Sequence, residues 1–419
     1  MADLENPDRF LRALFMAAVA RADPMLCVPR ALPLKPKGRV VVLGAGKASA
    51  RMAEAVEATW GPCDGFVITR YGYGRPCQGI EIVEASHPVP DRAGVDATRQ
   101  LLDIADGLGA DDTVVMLVSG GGSALLCAPA NGITLADKQV LSAAMLASGM
   151  PIGDINRIRK ELSAVKGGRL AVAIYPAKLH ALLISDVPGD DPSDIASGPT
   201  VGYAGDAALA VTTLAAWGVE PPAAIAAFLA TGGNPMAADD PRLVGVENLI
   251  IAAPSQSLAA AAEIATAAGV EVRILGDAIE GEAREVAAAQ AALAIEIAAQ
   301  RLGHPVLLLS GGECTVTRRG DGVGGPNAEF ALAAVVALKG HPKIHLIACD
   351  TDGVDGAAEV AGAIGDPSTL ALSEAMEISA AAALRNNDAH GFFASVGAQV
   401  VTGPTMTNVN DFRAILVLP

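Results

Sequence analysis

Aromatic side chains are scarce in this 419-residue sequence, where they make up only 3% of the residues. Hydrophobic residues of all kinds nevertheless reach 51%. The core must therefore be built from Ala, Val, Leu and Ile, the mixture of an α/β protein in which apolar strands pack against Ala-rich helices. Because a single core stops growing at roughly 250 to 300 residues, we expect two domains.

Long apolar runs are missing as well, since no uninterrupted stretch of about 18 residues or more could span a bilayer. The first residues, Met1 to Glu5, carry acids where a secretory signal needs a basic region and then an apolar one. The six cysteines form no CxxC pair, which argues against a zinc site and a disulfide framework. We expect a cytoplasmic protein with reduced thiols and no membrane partner.

Positive charge is also in short supply, with 30 Lys and Arg against 46 Asp and Glu and a formal net charge of −16. Binding to a nucleic-acid backbone requires a basic stripe, so we expect no nucleic-acid partner. A small anionic substrate can still bind where the few cations gather beside glycine-rich turns.

Short apolar runs alternate with helical stretches along the chain, a pattern that predicts parallel sheets joined by right-handed crossovers. The predicted strands are residues 39–43, 113–118, 179–184, 249–252, 270–275, 306–309 and 344–348. A stretch rich in proline and glycine, 218–241, separates the two series. We therefore predict two Rossmann-like α/β domains, residues 1–235 and 236–419, with largely parallel sheets and ligands in an interdomain cleft at the strand ends.

The first glycine-rich turn, Gly44-Ala45-Gly46-Lys47-Ala48-Ser49, follows a strand and opens a helix. It fits neither the P-loop nor the dinucleotide fingerprint, whose third glycine is replaced by Ser49. A lysine at a helix start is unusual because the helix dipole is already positive there. Lys47 is therefore predicted to face an anion or a transferring phosphoryl group.

The second turn, Ser119-Gly120-Gly121-Gly122-Ser123, also lies between a strand and a helix. Its glycines would let backbone N–H groups approach a phosphate or carboxylate. The alternative is a tight turn that binds no ligand.

Basic residues are concentrated between Asn156 and Arg169, including Lys160 and Lys166. Such a run is often only a solvated helix face. The turn Lys166-Gly167-Gly168-Arg169 favours phosphate binding instead.

Acidic side chains follow two of the predicted strands. They are Asp186, Asp190, Asp191 and Asp194 after one strand, and Asp350, Asp352 and Asp355 after another. Carboxylates at strand ends suit Mg²⁺ that is completed by phosphates, or a base that takes a proton from a hydroxyl. A single Asp in such a turn is more often a cap, but two clusters favour a metal-phosphate site.

Eight motifs together resemble the class II glycerate 2-kinases, a family with an N-terminal kinase domain and a C-terminal MOFRL domain. In chain order, from residue 44 to residue 411, they read GAGKAS, SHPVPD, SGGGSAL, RKELSAVKGGRLA, SDVPGDDPSDIASGPT, SGGECTV, TDGVDG and TGPTMTNVND. The resemblance implies phosphorylation of D-glycerate to 2-phosphoglycerate, with ATP and Mg²⁺.

The family's GAGK lysine falls on Lys47 and the aspartate of its TDG-x-DG motif falls on Asp352. We hypothesise that the 2-hydroxyl of glycerate attacks the γ-phosphoryl group while Asp352 takes the proton and Lys47 stabilises charge. Asp186 is the predicted metal ligand. The predicted substrate- or phosphate-binding residues are Ser119, Gly120, Gly121, Gly122, Ser123, Lys160, Lys166, Arg169, Glu313, Thr405 and Asn408.

One position departs from the family pattern. The third glycine-rich loop runs from Gly320 to Glu329. Many members read Gly-Gly-Arg-Asn-Gln-Glu in this loop, and that arginine is thought to help catalysis. Here Pro326 takes its place. If the arginine is indispensable, a substitute is needed, and Arg157, Arg169 and Arg318 are the candidates.

Two other functions stay open. Some members of the family are labelled hydroxypyruvate reductases, although the incomplete dinucleotide fingerprint argues against NAD(P)H-dependent reduction. A non-catalytic sensor of nucleotides or phosphosugars is the third possibility. The sequence does not decide between a monomer and a homodimer.

Overall fold

The computed structural model describes residues 4–234, 236–356 and 358–419. The strands are β1 (Val40–Ala45), β2 (Asp64–Arg70), β3 (Ile80–Ala85), β4 (Thr113–Val118), β5 (Lys178–Ile184), β6 (Glu247–Ala252), β7 (Glu271–Gly276), β8 (Gly281–Glu282), β9 (Val306–Gly312), β10 (Cys314–Thr315), β11 (Ile344–Asp350), β12 (Gly362–Gly365), β13 (Gln399–Val400) and β14 (Asp411–Val417).

The helices are α1 (Pro7–Arg21), α2 (Pro24–Ala31), α3 (Ser49–Trp60), α4 (Arg92–Asp106), α5 (Gly122–Leu125), α6 (Leu135–Ala147), α7 (Ile152–Glu161), α8 (Arg169–Ile174), α9 (Ala207–Ala216), α10 (Ala223–Ala230), α11 (Pro254–Ala267), α12 (Ala283–Gln300), α13 (Pro326–Leu338), α14 (Thr369–Ala375), α15 (Ala380–Arg385) and α16 (Ala389–Ser395). No helix in the described ranges is both long enough and apolar enough to cross a membrane.

The chain forms two compact units. The first unit contains Pro24–Ser185 and Asp190–Ile251, and the second contains Met1–Asp23, Asp186–Gly189 and Ala252–Pro419. This division differs from the domain boundary predicted at residue 235, which stays a prediction.

The N-terminal helix α1 belongs to the second unit, although the sequence places it before the first glycine turn. Phe10, Leu14 and Phe15 are fully buried in its core. The ring of Phe15 lies 5.8 Å from that of Phe412, between centroids. Such pairing across nearly the whole chain length cannot be read from local sequence patterns, because it depends on which buried surface the apolar stripe of α1 covers.

The sheet of the first unit has the strand order β3-β2-β1-β4-β5-β6. The pairings among its first five strands are parallel, as predicted. Both β1 and β4 are buried along their whole length, which explains their unbroken Val, Leu and Met runs. Ala45 at the end of β1 pairs with Val118 at the end of β4. The two glycine-rich turns that follow these strands are therefore neighbours at one edge of the sheet.

The sheet of the second unit has the order β13-β12-β11-β14-β9-β7 and is mixed. Its strands β7, β9, β11 and β13 share one direction, but β14 and β12 run the other way between them. The α/β class is confirmed in both units. Four of the six strands of the second sheet run in one direction, and β12 and β14 are antiparallel to them because they follow loops rather than crossover helices.

The direction of β14 matters for the acidic turns of the second unit. Asp411, its first residue, pairs with Asp350 at the end of β11 and with Gly312 at the end of β9. The loop before β14 therefore lies at the same sheet edge as the turns that follow β9 and β11.

Candidate active site

The two glycine-rich turns of the first unit are joined by buried hydrogen bonds. Ser119 Oγ accepts a hydrogen bond from Ala48 N at 3.0 Å and lies 3.2 Å from Ser49 Oγ. Ser49 Oγ also donates to Leu117 O at 3.0 Å. Both serines are fully buried. Ser119 was predicted to bind phosphate, but its hydroxyl fixes the turn that carries Lys47, and its contact with a ligand stays a prediction.

Gly46 permits this close junction. A Cβ atom at this position would lie 2.1 Å from Ser119 Oγ, and the φ angle of +148° disfavours other residues. Lys47 N then donates to Gly120 O at 2.8 Å, which fixes one turn on the other. The backbone of Lys47 is thereby held at the sheet edge, while its side chain is only partly buried.

Gly121 lies between two side chains that can meet a ligand. A Cβ atom on it would lie 3.1 Å from Cγ of Lys47 and 3.1 Å from Nε2 of His87. The φ angle of Gly121 is +80°, the left-handed region that favours glycine. The predicted anion turn, Ser119 to Ser123, therefore needs a glycine at this position, because the side chains of Lys47 and His87 pack closely against it.

Ser123, the last residue of the same turn, shares a hydrogen bond of 2.6 Å between its hydroxyl and that of Ser197. Ser197 was not singled out in the sequence. It and Ala196 have positive φ angles of 62° and 51°, a conformation that costs non-glycine residues roughly 1 to 3 kcal/mol each. A Cβ atom on Gly122 would lie only 2.6 Å from Ala196 Cβ. The strained segment, Ala196 and Ser197, therefore packs directly against the anion turn.

The predicted phosphate-binding cations Lys160, Lys166 and Arg169 are all buried, with exposed fractions of 5%, 2% and 7%. Lys166 Nζ donates to two backbone carbonyls, Ser123 O at 2.8 Å and Leu126 O at 2.7 Å. Burial lowers the pKa of Lys166 well below its usual value, and nearby cations add to the shift. This lysine closes the end of α5, so it supports the anion turn from behind.

The other two cations also bind protein groups. Arg169 donates to Lys160 O at 3.2 Å and Lys166 O at 2.9 Å, and additionally to Asn234 O. Lys160 Nζ lies 3.1 Å from Asp194 Oδ1 and over the ring of Tyr203. In this structure both side chains hold loops together, and their predicted contact with phosphate stays a prediction.

The turn after β11 in the second unit holds Asp352, which is 3% exposed. Its Oδ1 accepts a hydrogen bond from Val354 N at 2.8 Å, and its own N–H donates to Asp350 Oδ1 at 2.8 Å. Thr405 N donates to Asp352 O at 3.0 Å, and the Thr405 hydroxyl donates to Thr351 O at 2.5 Å. The structure therefore brings together two predicted site residues, Asp352 and Thr405.

The loop that holds Thr405 also holds Asn408, whose side chain contacts Asp186, the predicted metal ligand. Asn408 Nδ2 donates to Asp186 Oδ2 at 3.2 Å, and Asn410 Nδ2 donates to Asp186 O at 2.6 Å. Asp186 is partly buried, whereas Asn408 is 5% exposed. In the described part of the chain, no three His, Cys, Asp or Glu side chains are placed to hold a metal ion together. A single carboxylate fits Mg²⁺ only if phosphate and water supply most ligands, as Mg²⁺ prefers.

A fully buried carboxylate, Asp355, lies beneath this turn. It accepts hydrogen bonds from Asn327 N at 3.0 Å and Ala328 N at 2.8 Å, at the start of α13. His390 Nε2 lies 3.1 Å from Asp355 Oδ2. Asp355 therefore acts as an anchor that joins the acidic turn to the third glycine loop. Because Gly325 lies against Asp355, where a Cβ would come within 2.4 Å, this junction requires glycine.

Asp411 forms a second buried group at this edge. Its carboxylate accepts from Asn327 Nδ2 at 2.6 Å and Arg413 NH2 at 3.1 Å. Burial raises the pKa of Asp411 to about 6, although Arg413 and Asn327 act to lower it. Arg413 also donates to Cys314 Sγ at 2.8 Å. Sequence reading missed this network, because its members lie in three separate segments, β10, α13 and β14, that meet only in the folded unit.

The third glycine loop ends in Glu329, which is fully buried. Arg284 Nε donates to its Oε1 at 2.5 Å, and Asn387 Nδ2 donates to its Oε2 at 3.1 Å. Asn387 Oδ1 in turn accepts from Arg319 N at 2.7 Å. Glu329 therefore supports the loop from below. Glu313, predicted to bind substrate, is exposed after β9.

Pro326 begins α13, where a residue without an N–H is well tolerated. The three candidate replacements for the family arginine all bond to other groups of the protein. Arg157 pairs with Asp154 one turn away, at 2.9 Å, and Arg318 donates to carbonyls of its own loop. Arg169 is buried on carbonyl groups. That one of these three arginines replaces the family arginine stays a prediction.

These features define a class of protein: a two-unit α/β protein whose strand ends carry glycine-rich turns in one unit and an acidic turn in the other. Residues 10–230 match the family described as "Domain of unknown function (DUF4147)", and residues 306–411 match the MOFRL family. The chain belongs to the class II glycerate 2-kinase family, in which these two domains occur together.

Relatives match the chain over its full length. The "D-glycerate 2-kinase" of Thermotoga maritima is 36% identical over 100% of both chains. A crystal structure of glycerate kinase from that organism has a TM-score of 0.88 and covers 99% of this chain and 100% of its own. A protein of Agrobacterium vitis named "Putative hydroxypyruvate reductase" is 49% identical and covers 97% of this chain and 94% of its own.

Proposed function

We propose that the protein transfers the γ-phosphoryl group of ATP to the 2-hydroxyl of D-glycerate, giving 2-phosphoglycerate and ADP. The observation that carries this proposal is the full-length relationship, at 36% identity, to the D-glycerate 2-kinase of Thermotoga maritima. The turns that hold Lys47 and Asp352 lie at the carboxyl ends of β1 and β11, where α/β proteins bind ligands.

Phosphoryl transfer asks a protein mainly for positioning and for stabilisation of charge. In the proposed step, a bond forms between the 2-oxygen of glycerate and the γ-phosphorus, and the bond to the β,γ-bridging oxygen breaks. Asp352 accepts the proton of the hydroxyl. Lys47 stabilises the charge on the phosphoryl oxygens, and its backbone is held in place by Gly120 O.

Mg²⁺ would supply charge neutralisation at the phosphates of ATP. Asp186 is the ligand we propose for it, with Asn408 orienting its carboxylate through a hydrogen bond of 3.2 Å. This assignment is consistent with one protein carboxylate and a shell completed by phosphate and water.

A second candidate, reduction of hydroxypyruvate with NAD(P)H, is favoured by the name of the 49%-identical relative from Agrobacterium vitis. The first turn argues against it. Ser49 occupies the place of the third fingerprint glycine, where a small residue allows a helix to pack close to its strand. Its hydroxyl is buried against Leu117 O instead. Loss of NADH absorbance on addition of hydroxypyruvate would favour the reductase over the kinase.

The test is a coupled assay of ADP release with D-glycerate, ATP and Mg²⁺, with the product assigned by phosphorus NMR. Lys47→Ala should lower kcat by roughly 100- to 1,000-fold, the effect of removing one preorganised charge-stabilising group. Asp352→Asn should lower it by roughly 100- to 10,000-fold, the range for general acid-base groups.

If both residues serve one step, the double variant should lose much less than the product of the single effects. Lys37→Ala and Asp103→Asn change the same residue types at exposed positions and should leave kcat unchanged within about twofold. Near-normal kcat in Lys47→Ala or Asp352→Asn would remove that residue from the mechanism. A wild-type protein that binds ATP but releases no ADP with D-glycerate would refute the kinase and favour the sensor.

A further inference from the structure

His87 has no part in the mechanism above, yet it lies against the same glycine as the catalytic lysine. A Cβ atom on Gly121 would lie 3.0 Å from His87 Cδ2 and 3.1 Å from His87 Nε2. The same atom would lie 3.1 Å from Lys47 Cγ. The imidazole edge that bears Nε2 and the stem of Lys47 therefore both pack against Gly121, where any side chain would crowd them.

The loop that carries His87 is held at both ends. The carboxylate of Asp91 accepts hydrogen bonds from Gly94 N at 3.0 Å, from the Tyr71 hydroxyl at 2.8 Å and from Ser86 N. Gln139 Nε2 also donates to Pro90 O at 2.7 Å. Residues on either side of His87 are thus fixed, so its ring position is determined by the fold of the first unit rather than by a freely moving loop.

The opposite wall is equally fixed. Gly120 O accepts from Lys47 N at 2.8 Å, and Gly122 N donates to Ser119 O at 3.2 Å. His87 itself is partly buried, so the ring is supported but still accessible. A preorganised donor of this kind binds an anionic oxygen with little loss of side-chain entropy.

We propose that His87 is a second anion-contacting residue of this site, with Nε2 donating a hydrogen bond to an oxygen of the anionic group that Lys47 binds. This inference rests on the proposed function. The ligand is an anionic oxygen, and it has two sources in that reaction, a phosphoryl group of ATP or the carboxylate of D-glycerate. A histidine Nε2–H and a lysine ammonium on two sides of one oxygen give directional and charge recognition together.

The first measurement is independent of turnover. Imidazole nitrogen resonances of the full-length protein are recorded by long-range ¹H–¹⁵N NMR, and the His87 signal is identified by its loss in His87→Gln. D-glycerate alone and Mg²⁺ with the non-hydrolysable ATP analogue AMP-PNP are then added in separate titrations. The His87 Nε2 resonance should shift with one of them, which identifies the source of the oxygen. The His180 signal should stay in place.

The second measurement is kinetic. His87→Ala should lower kcat or raise the KM of the ligand identified by NMR at least tenfold, since a hydrogen bond to a charged group is lost. His87→Gln, whose amide nitrogen reaches close to the position of Nε2, should recover part of that loss. His180→Gln is the matched control, because His180 lies near the start of β5 and pairs with Glu247 at 2.7 Å. It should behave as wild type.

The inference is overturned if neither ligand moves the His87 resonance, or if His87→Ala keeps kcat and both KM values within about twofold of wild type. Tryptophan fluorescence of each variant checks that the first unit is folded, since Trp60 and Trp217 both lie in it. Failure of the proposed function has a different signature. In that case wild-type protein releases no ADP with D-glycerate, while a shift of His87 with AMP-PNP would still support the anion contact.

Discussion

Replacing Ser119 by alanine tests whether the buried junction of the two glycine turns positions Lys47, the proposed catalytic lysine. The change removes one oxygen atom. It takes the acceptor from Ala48 N, 3.0 Å away, and the partner from Ser49 Oγ, 3.2 Å away. No water can replace that oxygen without entering a fully buried region, since Ser49 and Ser119 are both 0% exposed.

The magnitude follows from the groups left without partners. A buried N–H that loses its acceptor costs about 1 to 3 kcal/mol. The lost hydrogen bond between the two hydroxyls contributes about 0.5 to 1.5 kcal/mol more. Ser49 keeps its bond to Leu117 O, which limits the loss. We therefore expect Ser119→Ala to lower the unfolding free energy of the first unit by about 2 to 3 kcal/mol.

Urea denaturation followed by tryptophan fluorescence measures this quantity for the right part of the molecule. The chain has 2 tryptophans, Trp60 and Trp217, and both lie in the first unit. Thr212→Val is the control, because its hydroxyl donates to an exposed helix carbonyl of the same unit, Leu209 O at 2.9 Å. It should change stability by less than about 0.5 kcal/mol.

The variant should also lose activity while still folded, because Ala48 directly follows Lys47. We expect the kcat of Ser119→Ala to fall at least tenfold in the absence of urea, where the native state remains populated. A stability change below about 0.5 kcal/mol would show that the junction does not stabilise the unit. An unchanged kcat would show that it does not position the lysine.

The remaining predictions concern the buried charges of the second unit. Arg284→Met leaves the fully buried Glu329 without its cation and should lower the unfolding free energy by about 3 to 5 kcal/mol, measured by chemical denaturation followed by circular dichroism. Arg273→Met, at the surface pair with Glu271, is the control and should lower it by less than about 1 kcal/mol. Equal losses in the two variants would contradict the prediction. Asp411 keeps its proton up to about pH 6 in the folded state but loses it near its ordinary pKa of 3.8 when unfolded, so its contribution to stability is present at low pH and falls as pH rises from about 4 to 6. The unfolding free energy of wild type relative to Asp411→Asn should therefore decrease over that window, and a difference that is flat or rises with pH would refute the assigned direction.

Several features of the molecule could be read from single segments. The strand at 113–118 is predicted with the bounds that β4 has, and the predicted strand 179–184 corresponds to β5, Lys178–Ile184. Both have a strong local signal, namely an apolar run that ends in a turn. The family motifs likewise depend only on residues close together in the chain, so the membership could be predicted before any coordinates.

Pairing between distant segments could not be read in this way. The sequence suggested that Lys160, Lys166 and Arg169 face a ligand, but their burial and their protein partners depend on how α7, α8 and the anion turn pack. A cation in a glycine-rich segment has the same local signature whether it meets a phosphate or a backbone carbonyl. Only the tertiary structure distinguishes them.

The sequence by itself determined the α/β class, the glycine turns after β1 and β4, and the acidic turn after β11, because each follows from hydrophobic period and turn chemistry within about ten residues. The tertiary structure decided the antiparallel insertion of β14, the placement of α1 in the second unit, and the meeting of His87 and Lys47 at Gly121. Those features are contacts between segments tens to hundreds of residues apart. They are chosen by the shape and burial of whole surfaces, which no local pattern encodes.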